Sequence, residues 1–176
     1  MILKLKRTPG LYVVGFMASG KSTIGRKLAD ALGWDFVDLD EDIESREQMK
    51  IATIFDTRGE PVFRDAEHNA LAARVKKIEM GRPMVIALGG GAFVQERNRD
   101  LIAANGISIW LDASFAMVSE RVLENRDRPL ARDPEAFQRM FEARREHYCK
   151  ADLRIEVRGN DPMEAVKQIL DTLNLS

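Results

Sequence analysis

Cysteine is nearly missing from this 176-residue chain: Cys149 stands alone. A lone cysteine excludes an internal disulfide, and none of the paired spacings that build a cysteine-rich metal site surrounds it; Cys149 is read as a packed bystander. Histidine is almost as scarce, and His68 has no second histidine or cysteine at ligand spacing, so it is read as structural. No apolar run approaches the ~20 residues of a membrane span, and no secretory signal opens the chain. A cytoplasmic protein with no membrane association is expected. Neither sign of charge dominates, with 27 basic against 28 acidic residues and a net charge near −1. The basic surplus of a nucleic-acid binder is lacking, so a small-molecule substrate is expected and no nucleic acid. Internal repeats and low-complexity segments are also absent, and the length suits a single domain over residues 1–176.

What is present is concentrated first in Gly15-Phe16-Met17-Ala18-Ser19-Gly20-Lys21-Ser22-Thr23. It follows the apolar run Leu11–Val14, read as a strand buried on both faces, and leads into a helix over Lys21–Leu32 stopped by Gly33. This is the pattern of a phosphate-binding loop. Its glycines let the backbone N–H groups turn inward, Lys21 reaches the outer phosphates, and the Ser22 hydroxyl ligates Mg²⁺. A helix N-terminus beneath the loop adds unpaired donors and a favourable dipole. Nucleotide binding, with ATP and Mg²⁺, is therefore the starting point. The competing reading, a glycine turn followed by a surface lysine, leaves the strand before and the helix after unexplained.

A second strand, Trp34–Asp38, ends in Phe36-Val37-Asp38-Leu39-Asp40. If the extended conformation persists through Leu39, Asp38 and Asp40 face one side at the strand end where ligands sit in open α/β sheets. The alternative is an acidic helix start. Helices are expected over Ile43–Glu47, Ile51–Phe55 and Pro61–Lys77, broken by Thr57-Arg58-Gly59. Residues 41–80 would then form a helical insertion over the ligand edge, carrying Phe55, Phe63, Arg64, Glu67 and His68. Arg64 either forks onto a carboxylate or simply pairs with Glu67 one turn on.

The third strand, Met84–Leu88, runs into Gly89-Gly90-Gly91, where a ligand can approach the backbone with no Cβ between. A metal-binding aspartate, frequent at such a strand end, is replaced by glycine, which makes Asp38 the candidate to help hold Mg²⁺. A helix over Gln95–Asn105, a strand over Ile107–Leu111 and a helix over Ser114–Leu123 follow. The basic segment at 125–133, with Arg126, Arg128 and Arg132, has the length of a lid. Asp133-Pro134 opens a helix through Tyr148, Leu153–Val157 is the fifth strand, and Asp161-Pro162 with Glu164 starts the last helix. The alternation predicts a three-layer α/β domain around a parallel sheet of about five strands.

Taken together, the phosphate loop, Phe36-x-Asp38-x-Asp40, Gly59-Glu60 with Phe63-Arg64-x-x-Glu67, Leu88-Gly89-Gly90-Gly91, Arg128-Pro129-Leu130, and Arg144 four before Tyr148 resemble shikimate kinase. The likeness spans nearly the whole chain in order. It implies strand order 2-3-1-4-5, a substrate-binding insertion, a lid, and transfer of the ATP γ-phosphoryl to the shikimate 3-hydroxyl in aromatic amino-acid synthesis. Motif by motif it implies that Arg64 and Arg144 grip the carboxylate, Asp40 the ring hydroxyls, and the Gly89–Gly91 backbone the substrate, with Phe55 and Phe63 walling the ring. Lys21 and Arg128 would act on the phosphates, Ser22 and Asp38 on Mg²⁺, and Arg121 and Asn160 on the adenosine side. A monomer is expected. Ala131 departs from the family, which commonly has leucine after Arg-Pro-Leu. Two other readings remain open here: a gluconate-type or nucleoside-monophosphate kinase on the same scaffold, and a non-catalytic nucleotide switch. Against the last, no guanine-specific Asn-Lys-x-Asp segment is present.

Overall fold

A computed structural model of the chain describes residues 10–124 and 133–175. Its core is a parallel sheet of β1 (Gly10–Val14), β2 (Asp35–Asp38), β3 (Met84–Ala87), β4 (Ile107–Ala113) and β5 (Leu153–Val157). The strands lie side by side in the order β2-β3-β1-β4-β5, as the family resemblance implies. Every neighbouring pair is parallel, so each strand is reached through a crossover helix.

Alternation along β1 divides the core into two layers. Leu11 and Val13 face α1 (Lys21–Leu32) and the C-terminal helix (Pro162–Leu173), meeting Ile24, Leu28, Val166 and Ile169. Tyr12 and Val14 face the other way, into a layer with Ile86, Trp110, Phe137 and Tyr148. All five β1 residues are buried, which is why that strand reads as a continuous apolar run. Helices on both faces give the three-layer α/β domain that the alternation predicts.

Between β2 and β3 lie α2 (Leu39–Glu47), α3 (Ile51–Arg58) and α4 (Glu60–Glu79). Here the structure departs from the sequence reading in two instructive ways. Helix α2 begins at Leu39, four residues earlier than periodicity suggests, because the Asp38 carboxylate caps the N–H groups of Asp40 at 3.0 Å and Glu41 at 3.3 Å. The extended conformation therefore stops at Asp38, and Asp40 stands in the first turn of a helix. Thr57 and Arg58 also remain helical, so Gly59 alone breaks the chain between α3 and α4, at φ 83°.

After β3 come a 3-10 turn (Ala92–Val94) and α5 (Glu96–Asn105); after β4 comes α6 (Phe115–Glu124). Helix α7 (Pro134–Tyr148) is capped by Asp133, which accepts from the Ala136 N–H, and leads to β5; the C-terminal helix is α8. None of the described helices is long and apolar enough to cross a membrane.

Candidate active site

The phosphate loop connects β1 to α1 through a backbone that few residues adopt. Gly15, Ala18 and Gly20 have φ of 152°, 60° and 97°. At Gly15 a Cβ would lie 2.9 Å from the Leu111 carbonyl oxygen, so the loop also demands glycine there for space. The Ser19 N–H donates to the Phe16 carbonyl at 3.2 Å and the Lys21 ammonium reaches the same oxygen at 2.8 Å, which folds the lysine over the loop. Gly20 caps α1 without a side-chain acceptor, leaving the helix donors of Lys21, Ser22 and Thr23 turned to the cleft. Ser19 is fully buried, and its hydroxyl has no partner among the described residues.

A cleft of about 480 Å³ opens from this loop and is lined by Lys21, Ser22, Asp38, Asp40, Gly89 and Gly90. Asp38 divides its carboxylate between two tasks. One oxygen caps α2, while the other accepts a short hydrogen bond from the Ser22 hydroxyl. These are hard oxygen donors, suited to Mg²⁺. No group of three or more His, Cys, Asp or Glu able to hold a metal occurs among the described residues. A site that relies on one or two protein oxygens, with waters and phosphate completing the shell, is the usual arrangement for this ion. Ser22 and Asp38 therefore fit it.

Asp40, beyond the cap, is held above its ordinary carboxylate range by burial first and then by the negative charge of Asp38, with Lys21 and Arg64 pulling the other way. A carboxylate of raised basicity beside a lysine is a competent proton acceptor.

Beside this cleft, side chains from distant elements flank the glycine triplet, and Arg64 and Arg144 line a second pocket of about 260 Å³ with Gly91. Arg64, on the second turn of α4, is 15% exposed and pairs at 2.9 Å with Glu67, which is 1% exposed. It also reaches Glu60 at 3.4 Å. The pairing with Glu67 and a position beside the glycine triplet are thus both true of Arg64. Burial lifts the Glu67 pKa and the Arg64 charge opposes that lift. Arg144 arrives from α7.

These side chains converge on the glycine triplet in one-to-one fashion. A Cβ on Gly89 would lie 2.6 Å from Asp40 Oδ1, one on Gly90 2.9 Å from Arg144 Nη1, and one on Gly91 2.5 Å from Arg64 Nη2. Each glycine makes room for a different charged group.

Several partly buried links hold the converging elements. Asp42 of α2 takes two hydrogen bonds from Arg74 of α4, at 3.0 and 2.5 Å. His68 bridges to Asn98 at 2.7 Å, and the Asn98 amide donates to the Ala92 carbonyl at 2.9 Å, joining α4 to the turn after the glycines. Because the Asn98 amide nitrogen faces a carbonyl, its oxygen faces His68, whose Nδ1 must be the donor. Asp112, 6% exposed at the end of β4, anchors α7 through Arg145 and also binds Arg154 at 2.6 Å. Tyr148, 1% exposed, donates to the Gly90 carbonyl at 2.5 Å.

Sequence reasoning named Tyr148 only as part of a motif and attached nothing to Asp112 or Arg145. The four-residue spacing from Arg144, which puts both on one helix face, was the available signal for Tyr148. Asp112 had none.

On the opposite side of the phosphate loop, Arg121 donates to the Ala18 carbonyl at 2.8 Å and to the Asn160 side chain at 3.3 Å. The two residues share a separate cleft of about 300 Å³ with Gly20 and Thr23. Phe55 and Phe63 pair with ring centroids 4.6 Å apart; Phe63 is buried under the Arg64 guanidinium, and Phe55 is 36% exposed. Arg128, Ala131 and most of the expected lid at 125–133 lie outside the described residues.

Comparison with known proteins agrees with this geometry. The family model for shikimate kinase matches residues 17–174. A shikimate kinase from Sulfurihydrogenibium sp. (strain YO3AOP1) is 40% identical over 161 residues, covering 91% of this chain and 95% of the relative. The crystal structure of shikimate kinase from Aquifex aeolicus superposes with a TM-score of 0.83 at 35% identity, covering 94% of this chain and 96% of that one. Shikimate kinase from Acinetobacter baumannii, solved in complex with shikimate, gives a TM-score of 0.86 at 28% identity over 99% of this chain and 98% of that one.

Proposed function

The chain belongs to the shikimate kinase family, and we infer from that membership and from the cleft that it transfers the γ-phosphoryl group of ATP to the 3-hydroxyl of shikimate. The observation that carries the assignment of its residues is the convergence of Asp40, Arg64 and Arg144 on the glycine triplet, within the reach of a phosphate loop. Shikimate offers one carboxylate and three hydroxyls. Two arginines and an aspartate are the complementary set, since a guanidinium fork matches a carboxylate and a carboxylate accepts from hydroxyls.

In this reading the phosphates of ATP lie along the N–H groups of Gly15–Thr23, with the nucleoside towards Arg121 and Asn160. Ser22 and Asp38 hold Mg²⁺, which when bound offsets the charge of the phosphate oxygens. Lys21 releases the Phe16 carbonyl and turns to the transferred group, where its charge is worth most as bridging oxygens gain negative character. Arg64 and Arg144 hold the shikimate carboxylate, so that the 3-hydroxyl is presented to Asp40. The new bond joins the 3-oxygen to the γ-phosphorus, the bond from that phosphorus to the β-bridging oxygen breaks, ADP leaves with the electron pair, and the hydroxyl proton passes to Asp40. Residues 41–80 act as the acceptor-binding insertion, and the protein works in the cytoplasm as a monomer.

An acceptor panel tests the reading. Purified protein with Mg-ATP is offered shikimate, gluconate and a nucleoside monophosphate, and ADP formation is followed. Turnover of shikimate well above the others is expected; equal or greater turnover of another acceptor would sink the assignment.

A further inference from the structure

Tyr148 lies one helical turn after Arg144 on the same face of α7. Its ring packs against Trp110 with centroids 6.2 Å apart, and its buried hydroxyl reaches the Gly90 carbonyl oxygen. That carbonyl belongs to the same planar unit as the Gly91 N–H, which points the opposite way in a trans peptide. The turn uses the N–H groups of Ala92, donating to Gly89 at 3.1 Å, and Val94, donating to Gly91 at 3.3 Å. No acceptor for the Gly90 or Gly91 N–H occurs among the described residues. Both amides belong to a stretch flanked by two guanidinium groups, Arg144 beside Gly90 and Arg64 beside Gly91.

We propose that Tyr148 is a positioning residue for the acceptor: by clamping the Gly90 carbonyl it fixes the Gly90–Gly91 peptide plane, aiming the Gly91 N–H at the place where the two arginines receive a carboxylate. The inference rests on the shikimate reading of the site, in which the glycine backbone already serves the acceptor, and adds the residue that orients it. Burial pushes the phenol up to about 12 against the opposing pull of Arg144, so the hydroxyl stays a donor at any working pH. The turn bonds fix the ends of this stretch, and among three consecutive residues without side chains the Tyr148 bond is the side-chain restraint on the peptide between Gly90 and Gly91.

The test compares wild type with Tyr148→Phe, which removes the hydroxyl and keeps the ring. Calorimetric titration of shikimate into nucleotide-free protein should show affinity falling about five- to tenfold, the worth of one net hydrogen bond. ATP affinity and the ATP KM should stay within about twofold, because a purely structural defect would spread to both ligands. Combining Tyr148→Phe with Arg144→Ala should give a loss smaller than the sum of the single losses, since both act on one bound group. Unchanged shikimate affinity in Tyr148→Phe, an equal loss for ATP, or strictly additive losses would each overturn the proposal. A readout that needs no variant to fold is hydrogen exchange at the Gly91 amide of the wild-type protein. It should slow when shikimate is added, and unchanged exchange counts against the clamp. Wild-type protein that fails to bind shikimate at all overturns the functional reading itself, whereas binding that ignores Tyr148 overturns only this inference.

Discussion

The two ends of the cleft are made differently. At the nucleotide end, one contiguous stretch supplies the phosphate site, mostly through its backbone, and positive φ values at Ala18 and Gly20 hold the donors in place. At the acceptor end, charged side chains arrive from α2, α4 and α7, and they meet over three residues that have no side chains. Backbone donors recognise any phosphate, whereas a set of separated side chains recognises one shape. The generic partner is thus met by local structure and the specific one by tertiary structure. The acceptor end accordingly depends on side-chain to side-chain braces, such as Arg74 on Asp42 and Arg145 on Asp112, whereas the brace on the phosphate loop, Arg121, grips a main-chain carbonyl.

Substitutions can sharpen or break this contrast. The largest effect is expected from Lys21→Ala, which should lower kcat by about 10²–10³ through lost transition-state stabilisation, while nucleotide-free shikimate binding stays near wild type. Near-normal kcat would remove that lysine from the chemistry. Next come the two aspartates, which sit on either side of the boundary. Asp40→Asn should cost about tenfold or more in nucleotide-free shikimate affinity, and turnover with it. Asp38→Asn keeps a good helix cap, so it should leave that affinity alone but raise the Mg²⁺ needed for half-maximal rate. Calorimetry showing equal losses in both would erase the boundary.

A smaller change should follow Arg64→Lys. A point charge replaces a fork, so the shikimate KM should rise about tenfold with the ATP KM unmoved, and a defect confined to ATP would reassign the residue.

The smallest effect is on stability. Burial and the charge of Asp38 raise the folded pKa of Asp40 above its unfolded value. The folded state then binds more protons in the window between the two, so its stability declines as pH rises through that window. Asp40→Asn removes this penalty. In urea denaturation the variant should gain on wild type as pH climbs above the ordinary carboxylate range, and show no such gain below it. A constant difference across that range would mean that Asp40 titrates in the folded protein as it does in the unfolded chain.

The same contrast explains what could be read before the structure. The phosphate loop is local, so its residues carry its geometry, and the apolar runs with glycine stops carry the sheet. At the acceptor end, Asp38 and Asp40 were visible as a pair, but the extended spacing between them was not what the chain adopts: an N-cap is a side-chain decision made at Asp38. Arg64 looked like either an ion pair or a ligand-facing group because spacing along a helix cannot tell which face a sheet edge covers. The clamp at Asp112 joins residues 33 and 42 positions apart, which no local pattern records.

The glycine triplet has a consequence for how such a sequence can drift. Because each of the three positions is keyed to a separate charged group, a mutant at one cannot be rescued by changing either of its neighbours. An alanine at Gly89 would displace the Asp40 carboxylate and one at Gly91 the Arg64 guanidinium, so each moves a charged group the acceptor end uses. Randomising codons 89 to 91 under selection for activity should return glycine at all three. Each position of the tract thus constrains drift through the one charged group beside it.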